Sequence, residues 1–418
     1  MNILWIVNII LPEVRSVLFK ESKNALVSGS WLEGYANSIR GEKDKILAIA
    51  TISKEVKTFS KIQYDGVSYF VIPFCGNYTN NDESYASSWR KIYNEFKPDI
   101  VHIHGTEFFY GLTFLNTFPN IQSVVSIQGI ISACSDFYSY GLTFKDILFH
   151  PTIRDIIRGG IWKEKKEFKK RGFIEKKILK RVKNVIGRTE WDECMSISIN
   201  PNLRYFKCNE PLRDVFYNSG KWKFEKCHPH TIFLSQASYP LKGLHQLIRA
   251  LPIVLAKYPD TRVRIGGINI IDKPWFKMSG YGSIIVSLIK RYKLEGILNF
   301  MGPLSKEEVR DELLTTNVFV CPSSVENSPN SVGEAQILGV PCVASFVGGV
   351  PSFFPDKLSQ YLYRYEDYEM LAQLIINIFD MAGSFDNGYE IKVAEERHSK
   401  KTIMTTLNNI YCELGRTL

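Results

Sequence analysis

Residues 323–351 read SSVENSPNSVGEAQILGVPCVASFVGGVP, and no other segment of the chain indicates its fold as clearly. Ser328 suits the N-cap of a helix and Pro329 its first position, and the helix should stop at the Gly-Val-Pro sequence that follows. Apolar strand patterns lie on both sides, at 318–322 and 342–345. Strand, loop, helix and strand in this order predict a βαβ unit, whose loops open at the carboxyl ends of parallel strands.

Two carboxylates of this segment are the first candidate site residues. Glu326 lies in the loop that enters the predicted helix, and Glu334 lies inside the helix. A helix N-terminus offers free N–H groups and partial positive charge, which suit a phosphate, while carboxylates can accept hydrogen bonds from sugar or ribose hydroxyls. The spacing alone also fits a capped helix with two solvated acids, but the surrounding βαβ pattern favours a nucleotide-sugar pocket.

The same alternation of strand and helix patterns runs through both halves of the chain. It predicts an α/β fold with parallel, doubly wound sheets. The 418 residues are enough for two or three domains with cores of their own. A composition break at 218–230 predicts a linker, so that Rossmann-like domains are expected at 1–217 and 231–397.

The 323–351 segment resembles the retaining glycosyltransferases of family 4, whose hallmark is Glu-x7-Glu followed by G-x-P-x-V-A-S and G-G. The matching residues are Glu326, Glu334, Gly339, Pro341, Val343, Ala344, Ser345, Gly348 and Gly349. The resemblance implies the GT-B architecture, in which two Rossmann-like domains face each other across a cleft. It also implies that a last helix, at 398–418, crosses back to the first domain. In the family, the counterpart of Glu334 holds the ribose hydroxyls, and that of Glu326 contacts the donor sugar.

Further donor-binding residues are expected around this motif. Lys242 precedes a predicted helix of the second domain, where it can stabilise the departing diphosphate. The family usually adds an arginine about six positions upstream, but Gln236 stands there in this chain. Asn330 and Ser331, at the start of the motif helix, complete the expected donor-binding set in this domain.

The first domain carries the remaining candidates. Gly29 and Ser30 follow the first strand, where the family usually has Gly-Gly against the donor diphosphate or the acceptor. Gln128 replaces a family histidine that approaches the donor sugar, and we expect it to orient that sugar. Arg188 lies in GRTEWD, a sequence similar to one found in polysaccharide-assembly members, where the arginine lies near the interdomain cleft.

Bulk composition limits the class of protein. Hydrophobic content of 45% with 23% charged residues is ordinary for a soluble globular protein. No apolar run approaches the roughly 20 residues of a membrane span, and the apolar start lacks the features of a signal peptide. The eight cysteines are scattered without metal-like spacing. A reduced, cytoplasmic location is therefore expected.

The net charge of +9 is concentrated at residues 158–188, where Lys and Arg alternate with apolar residues at helical spacing. One interpretation is a solvated helix that packs its apolar side on the domain. The other is a surface for anionic lipid headgroups or a lipid-linked diphosphate acceptor, which would place the protein on the inner face of the cell membrane. Nucleic acid is not an expected partner, because no recognition motif accompanies the charge.

These features predict a retaining glycosyltransferase that moves a sugar from a UDP- or GDP-linked donor to a saccharide acceptor, lipid-linked, in cell-surface polysaccharide synthesis. No Asp-x-Asp ends a strand, so neither a metal nor a cofactor is expected. The glutamines at 128 and 236 favour one alternative, a catalytically weak or inactive sugar-nucleotide-binding scaffold. Another alternative, a nucleotide-sugar epimerase or phosphorylase, would need acid/base residues or a cofactor lysine that no motif indicates.

Overall fold

The computed structural model describes residues 1–19, 32, 35–36, 39–42, 44–76 and 83–415. The chain divides into two compact units, and each is described by itself. The first unit comprises Met1–Ser132, Lys170–Pro211 and Ser399–Leu418. The second comprises Ala133–Lys169 and Leu212–His398.

In the described ranges the strands are β1 Asn2–Ile6, β2 Ile46–Ser53, β3 Ser60–Tyr64, β4 Val67–Pro73, β5 Ile100–His104, β6 Ser123–Ser126, β7 Asn184–Gly187, β8 Arg204–Lys207, β9 Thr231–Leu234, β10 Arg262–Gly266, β11 Leu298–Gly302, β12 Val318–Cys321, β13 Cys342–Ser345 and β14 Leu362–Tyr363. The 3₁₀ helices are Phe224–Lys226, Pro240–Lys242, Val350–Phe353, Asp356–Tyr361 and Ala382–Ser384.

The α-helices whose full bounds lie in the described ranges are α1 Pro12–Phe19, α2 Glu83–Phe96, α3 Phe109–Thr117, α4 Ile131–Phe137, α5 Phe144–Leu148, α6 Ile153–Arg158, α7 Gly160–Leu179, α8 Glu190–Ile199, α9 Asp214–Tyr217, α10 Leu244–Lys257, α11 Gly280–Arg291, α12 Lys306–Thr315, α13 Asn330–Leu338, α14 Tyr368–Met381, α15 Gly388–Arg397 and α16 Lys400–Gly415.

Each unit is built on one mainly parallel sheet. The strand order is β3-β4-β2-β1-β5-β6-β7-β8 in the first unit and β11-β10-β9-β12-β13-β14 in the second. Of these pairs, β3 with β4 is antiparallel and the others are parallel. The predicted fold class, α/β with two parallel-sheet domains, is confirmed. In each sheet the chain reverses its direction of travel beside its first strand, so that β1/β5 and β9/β12 are the switch points where such sheets bind ligands.

Apolar periodicity explains why the helices lie on these sheets. In α10, Leu244, Leu247, Ile248 and Leu251 recur at helical spacing, and all four are fully buried. The strands β9 and β12 are buried along their whole length, as expected for a parallel sheet that is covered on both faces. The second unit thus holds the carboxyl ends of β9 and β12 on a packed base.

The last helix, α16, packs within the first unit. Its Tyr411 is fully buried in the core cluster that includes Trp5 and Ile3 of β1. Trp5 Nε1 donates a hydrogen bond to the Tyr411 hydroxyl at 3.0 Å. The C-terminal residues therefore belong with the N-terminal strand, although about 400 residues of chain separate them.

The division of the chain differs from the predicted domain boundaries in two places. The prediction put the whole of 1–217 in the first domain, whereas residues 133–169 belong to the second unit and the crossing falls at Pro211–Leu212. The predicted linker at 218–230 contains a buried side chain, Trp222, whose Nε1 donates to the Thr316 carbonyl oxygen at 2.7 Å. This segment is therefore part of the second unit rather than a linker.

Helix α7 carries most of the basic segment. Ile161, Ile174, Ile178 and Leu179 are buried, so the apolar side of this helix packs on protein, as the first of the two interpretations expects. No helix in the described ranges is long and apolar enough to cross a membrane.

Candidate functional site

The segment between β12 and β13 forms the predicted βαβ unit. Gly339 ends α13 with a φ of 79°, the left-handed conformation that glycine favours at this position. Pro329 is the N-cap rather than the first helical residue, and no side chain caps the helix. The prediction of Ser328 as the cap is therefore wrong by one position. Ser328 Oγ instead accepts a hydrogen bond from Arg397 at 3.3 Å.

Lys242 and Glu326 meet because they follow neighbouring strands at the switch point of the second sheet. Lys242 Nζ donates to Glu326 Oε1 at 2.6 Å, and Ser323 Oγ donates to the same oxygen at 2.9 Å. Burial by itself would lower the pKa of Lys242, but the adjacent Glu326 carboxylate, together with Tyr239 and Cys321, more than offsets that effect, so that the pKa lies above its ordinary value. Lys242 therefore carries a fixed positive charge at neutral pH.

Gly243 sets how closely the two loops approach. It has a φ of 67°, and a Cβ at this position would lie 1.6 Å from the carbonyl oxygen of Pro322. Ser324 N–H also donates to the Leu241 carbonyl oxygen at 2.8 Å. The glycine after Lys242 is thus needed to bring the lysine to the loop that follows β12.

Glu334 is buried inside α13 and bound by an arginine. Its two carboxylate oxygens accept hydrogen bonds from Nε and Nη2 of Arg213, both at 2.7 Å. Burial raises the pKa of Glu334, and Arg213 opposes that shift. The sequence prediction gave Arg213 no role, because a separation of 121 residues leaves no local signal of the pairing.

The other donor-side candidates lie around these pairs. Asn330 and Ser331 begin α13 and are both partly exposed. Asn330 Oδ1 is buried and has no hydrogen-bond partner in the described part of the chain. Gln236, after β9, is exposed and donates to Ser238 Oγ at 3.3 Å. Its amide adds no charge, so Lys242 supplies the positive charge next to the α13 loop.

In the first unit, Gln128 and Arg188 share a partner, Glu210, to which the sequence prediction assigned no role. Gln128 Nε2 donates to one oxygen of Glu210 at 2.8 Å, and Arg188 Nη1 donates to the other at 2.6 Å. Arg188 Nη2 donates to the Gln128 carbonyl oxygen at 2.7 Å. These residues follow β6, β7 and β8, so they lie at the carboxyl edge of the sheet. The charge of Arg188 is already matched by a buried carboxylate, and its predicted contact with the donor stays a prediction.

His102 on β5 is a buried structural residue. Its Nδ1 lies 2.5 Å from the Tyr411 hydroxyl, and its Nε2 lies 2.6 Å from Ser126 Oγ. Burial lowers the pKa of His102 to about 3, so the ring is neutral at physiological pH. It joins α16 to the sheet of the first unit.

The predicted roles of Gly29 and Ser30, and the predicted absence of a metal or cofactor, stay predictions. Gly29 and Ser30 lie outside the described residues. Over the described ranges, no group of three or more His, Cys, Asp or Glu side chains is placed to hold a metal ion. The expectation that no metal or cofactor takes part stays a prediction.

Solved structures of similar fold cover the whole chain. Sucrose-phosphate synthase from Thermosynechococcus elongatus aligns over 100% of both chains with a TM-score of 0.68 and 14% identity. Anabaena Alr3699/HepE in complex with UDP-glucose aligns over 99% of this chain and 100% of its own, with a TM-score of 0.66 and 13% identity. At these identities the likeness establishes the fold alone.

Sequence comparisons match part of the chain. WcaL of Salmonella typhimurium, a glycosyltransferase assigned to colanic acid biosynthesis, is 30% identical over 137 residues, which are 31% of this chain and 31% of WcaL. The chain thus matches about a third of the length of such curated relatives. The model of the family described as glycosyl transferases group 1 matches residues 219–387. This range contains Lys242, Glu326 and Glu334, and the predicted resemblance to glycosyltransferases is confirmed over residues 219–387.

Proposed function

We propose that the protein is a retaining glycosyltransferase that moves a sugar from a nucleotide-diphosphate donor to a saccharide acceptor. One observation carries the proposal. At the switch point of the second sheet, the Lys242 ammonium is paired with Glu326. Helix α13 begins at Asn330, shortly after Glu326 in the chain, and Glu334 lies inside this helix. Groups for a phosphate and groups for hydroxyls are thus combined where parallel sheets bind ligands.

Each side chain has a role that its chemistry supports. Lys242 stabilises the negative charge that develops on the departing diphosphate, and the first N–H groups of α13 add to this. Glu326 accepts hydrogen bonds from the hydroxyls of the donor sugar and positions its anomeric carbon. Glu334 accepts hydrogen bonds from the ribose. We propose front-face attack through an oxocarbenium-like state, without a covalent glycosyl intermediate.

The comparisons support the class of donor and acceptor. HepE, which has the same fold, was solved with UDP-glucose, so we propose a nucleoside-diphosphate sugar, UDP- or GDP-linked, as the donor. WcaL is assigned to colanic acid biosynthesis, and we propose a saccharide acceptor, lipid-linked, in polysaccharide synthesis. A lipid-linked acceptor places the reaction at the cytoplasmic face of the membrane, to which the cations of residues 158–188 are attracted.

Nucleotide release from a panel of UDP-, GDP- and ADP-sugars tests the proposal. The wild-type protein should release nucleotide from one donor class, and Glu326→Gln should lower that turnover by about 100-fold or more. Glu369→Gln, an exposed carboxylate on α14, is the matched control and should keep wild-type turnover. Equal turnover in wild type and Glu326→Gln would remove Glu326 from the site.

The second candidate function is a sugar-nucleotide-binding scaffold without turnover. The exposed amide of Gln236 favours it, because the family places an arginine there and this chain has one cation fewer for the leaving group. Donor binding measured by calorimetry, with no nucleotide release for any acceptor tested, would support the scaffold.

A further inference from the structure

Exposed large apolar side chains are concentrated in two short segments of the second unit. Of the nineteen in the described part of the chain, nine lie within residues 137–162 and three within 268–276. The twelve are Phe137, Tyr140, Phe144, Leu148, Phe149, Ile153, Ile156, Ile157, Trp162, Ile268, Trp275 and Phe276. Scattered exposed apolar residues are normal, but a concentration of this kind marks an interaction surface.

The helices of the first segment turn their apolar faces outward. In α6, Ile153, Ile156 and Ile157 lie at positions i, i+3 and i+4, on one face of the helix. Ile156 and Ile157 are 77% and 76% exposed. In α5, Phe144 and Leu148 are exposed four residues apart in the same way. This pattern is the reverse of that in α10, whose apolar face is buried.

The exposed helices are held in place by specific contacts. Thr152 Oγ1 donates to the Met278 carbonyl oxygen at 2.7 Å. Asp155 Oδ2 accepts a hydrogen bond from Gly280 N–H at the start of α11, at 2.8 Å. Gly159 ends α6 with a φ of 96°. The isoleucines of α6 are therefore exposed on an anchored element.

The two segments border one cavity of about 220 Å³, which joins them into one surface. Arg154, Lys273 and Lys277 line this cavity, Lys145 and Arg158 are exposed on the first segment, and Lys163 and Lys166 are exposed just after it. Of the neighbouring acids, Asp146 caps α5 with Thr143 and Glu164 accepts from the Tyr138 hydroxyl at 2.7 Å, whereas Asp272 is exposed on the second segment. Cations therefore surround the apolar side chains.

We propose that this surface, residues 137–162 with 268–277, inserts its apolar side chains into the headgroup region of an anionic lipid bilayer. Aliphatic side chains on short amphipathic helices, tryptophans beside them and lysines around them match the layered chemistry of a bilayer surface. The charge selects anionic lipid over neutral lipid. The membrane contact is thereby assigned to these residues rather than to the buried apolar side of α7.

This inference deepens the membrane association proposed above, and its test uses no sugar donor. The full-length protein is sedimented with vesicles of phosphatidylcholine containing about one third phosphatidylglycerol, and with vesicles of phosphatidylcholine alone. We expect binding to the anionic vesicles and at least about tenfold weaker binding for Ile156→Glu/Ile157→Glu. Ile253→Glu, an exposed isoleucine on α10, should bind like wild type. Calorimetry with UDP on the same samples separates failure of this proposal from failure of the proposed activity.

Insertion is measured in a second way by tryptophan fluorescence. Brominated lipid should quench the tryptophan fluorescence of the bound protein, and the quenched fraction should be smaller in the Trp162→Phe/Trp275→Phe variant. Wild-type vesicle binding by Ile156→Glu/Ile157→Glu would overturn the proposal in favour of attraction by charge alone. A wild-type protein that is dimeric and does not bind vesicles, together with a monomeric Ile156→Glu/Ile157→Glu variant, would overturn the proposal and show that the surface binds a second copy of this chain.

Discussion

Glu390, on α15, should make the stability of the second unit depend on pH in an unusual direction. Its side chain is 2% exposed. Burial raises the pKa of Glu390 from 4.5 to about 8, while hydrogen bonds with Cys342 and Gln336 oppose the shift. At pH 7 the group is therefore protonated in the folded protein and ionised in the unfolded chain. At this group the folded state binds more protons between these two pKa values, so the contribution of Glu390 to stability is greatest below pH 4.5 and is lost as the pH rises through 8.

The size of this effect follows from the pKa difference. Each pH unit between the two values costs about 1.4 kcal/mol, so the step from pH 5 to pH 8 costs about 4 kcal/mol. Glu390→Gln keeps the shape of the neutral acid but cannot ionise. The variant should equal the wild type at pH 5 and exceed it at pH 8, where its Tm should be higher by about 10 °C for a unit of this size.

Scanning calorimetry of both proteins at several pH values between 5 and 8.5 measures the difference. Glu396→Gln removes an exposed carboxylate from the same helix, and its curve should run parallel to that of the wild type. A Tm difference between Glu390→Gln and wild type that does not change with pH would refute the reasoning. It would mean that Glu390 is ionised in the folded protein.

Three further substitutions test the pairs that the structure places. Arg213→Met leaves a buried carboxylate unpaired, and we expect a loss of about 3 kcal/mol or more in the free energy of unfolding, measured by urea denaturation; an unchanged midpoint would contradict a buried pair. Lys242→Met should slow nucleotide release by about 100-fold, and wild-type turnover would show that another group carries the diphosphate charge. Tyr411→Phe removes the hydroxyl shared by Trp5 and His102, and should destabilise the first unit by about 1–3 kcal/mol in the same denaturation assay, whereas equal stability would show that water replaces the hydroxyl.

The fold could be predicted from the sequence because its signals are local. Strand β13 at 342–345 has the predicted bounds, and β12 ends one residue before the end of its predicted range, 318–322. Buried parallel strands are short apolar runs, and amphipathic helices show their period directly. The helix start at Pro329 was missed by one residue, because proline suits both the N-cap and the first position when no side-chain cap is made.

The partners of the site residues could not be predicted, because they are set by tertiary contacts. Arg213 reaches Glu334 across 121 residues, and Glu210 joins Gln128 and Arg188 through the meeting of three strand ends. The place of residues 133–169 is a property of the same kind. The apolar residues of this segment would have helical spacing in either unit, so the sequence pattern does not indicate that the segment belongs to the second one.

The pairing of Lys242 with Glu326 predicts the direction in which UDP affinity changes when Glu326 is replaced, and this direction distinguishes two possible roles of the carboxylate. In the structure Glu326 neutralises the cation that the proposed mechanism assigns to the diphosphate. A diphosphate must therefore compete with Glu326 for Lys242. When the diphosphate is bound, we expect the Glu326 carboxylate to accept hydrogen bonds from the sugar hydroxyls instead. Glu326→Gln removes the competitor, so UDP should bind this variant at least as tightly as the wild type while transfer is lost. Parallel losses of UDP affinity and turnover would instead mean that Glu326 binds the nucleotide itself, and that Lys242 only positions Glu326.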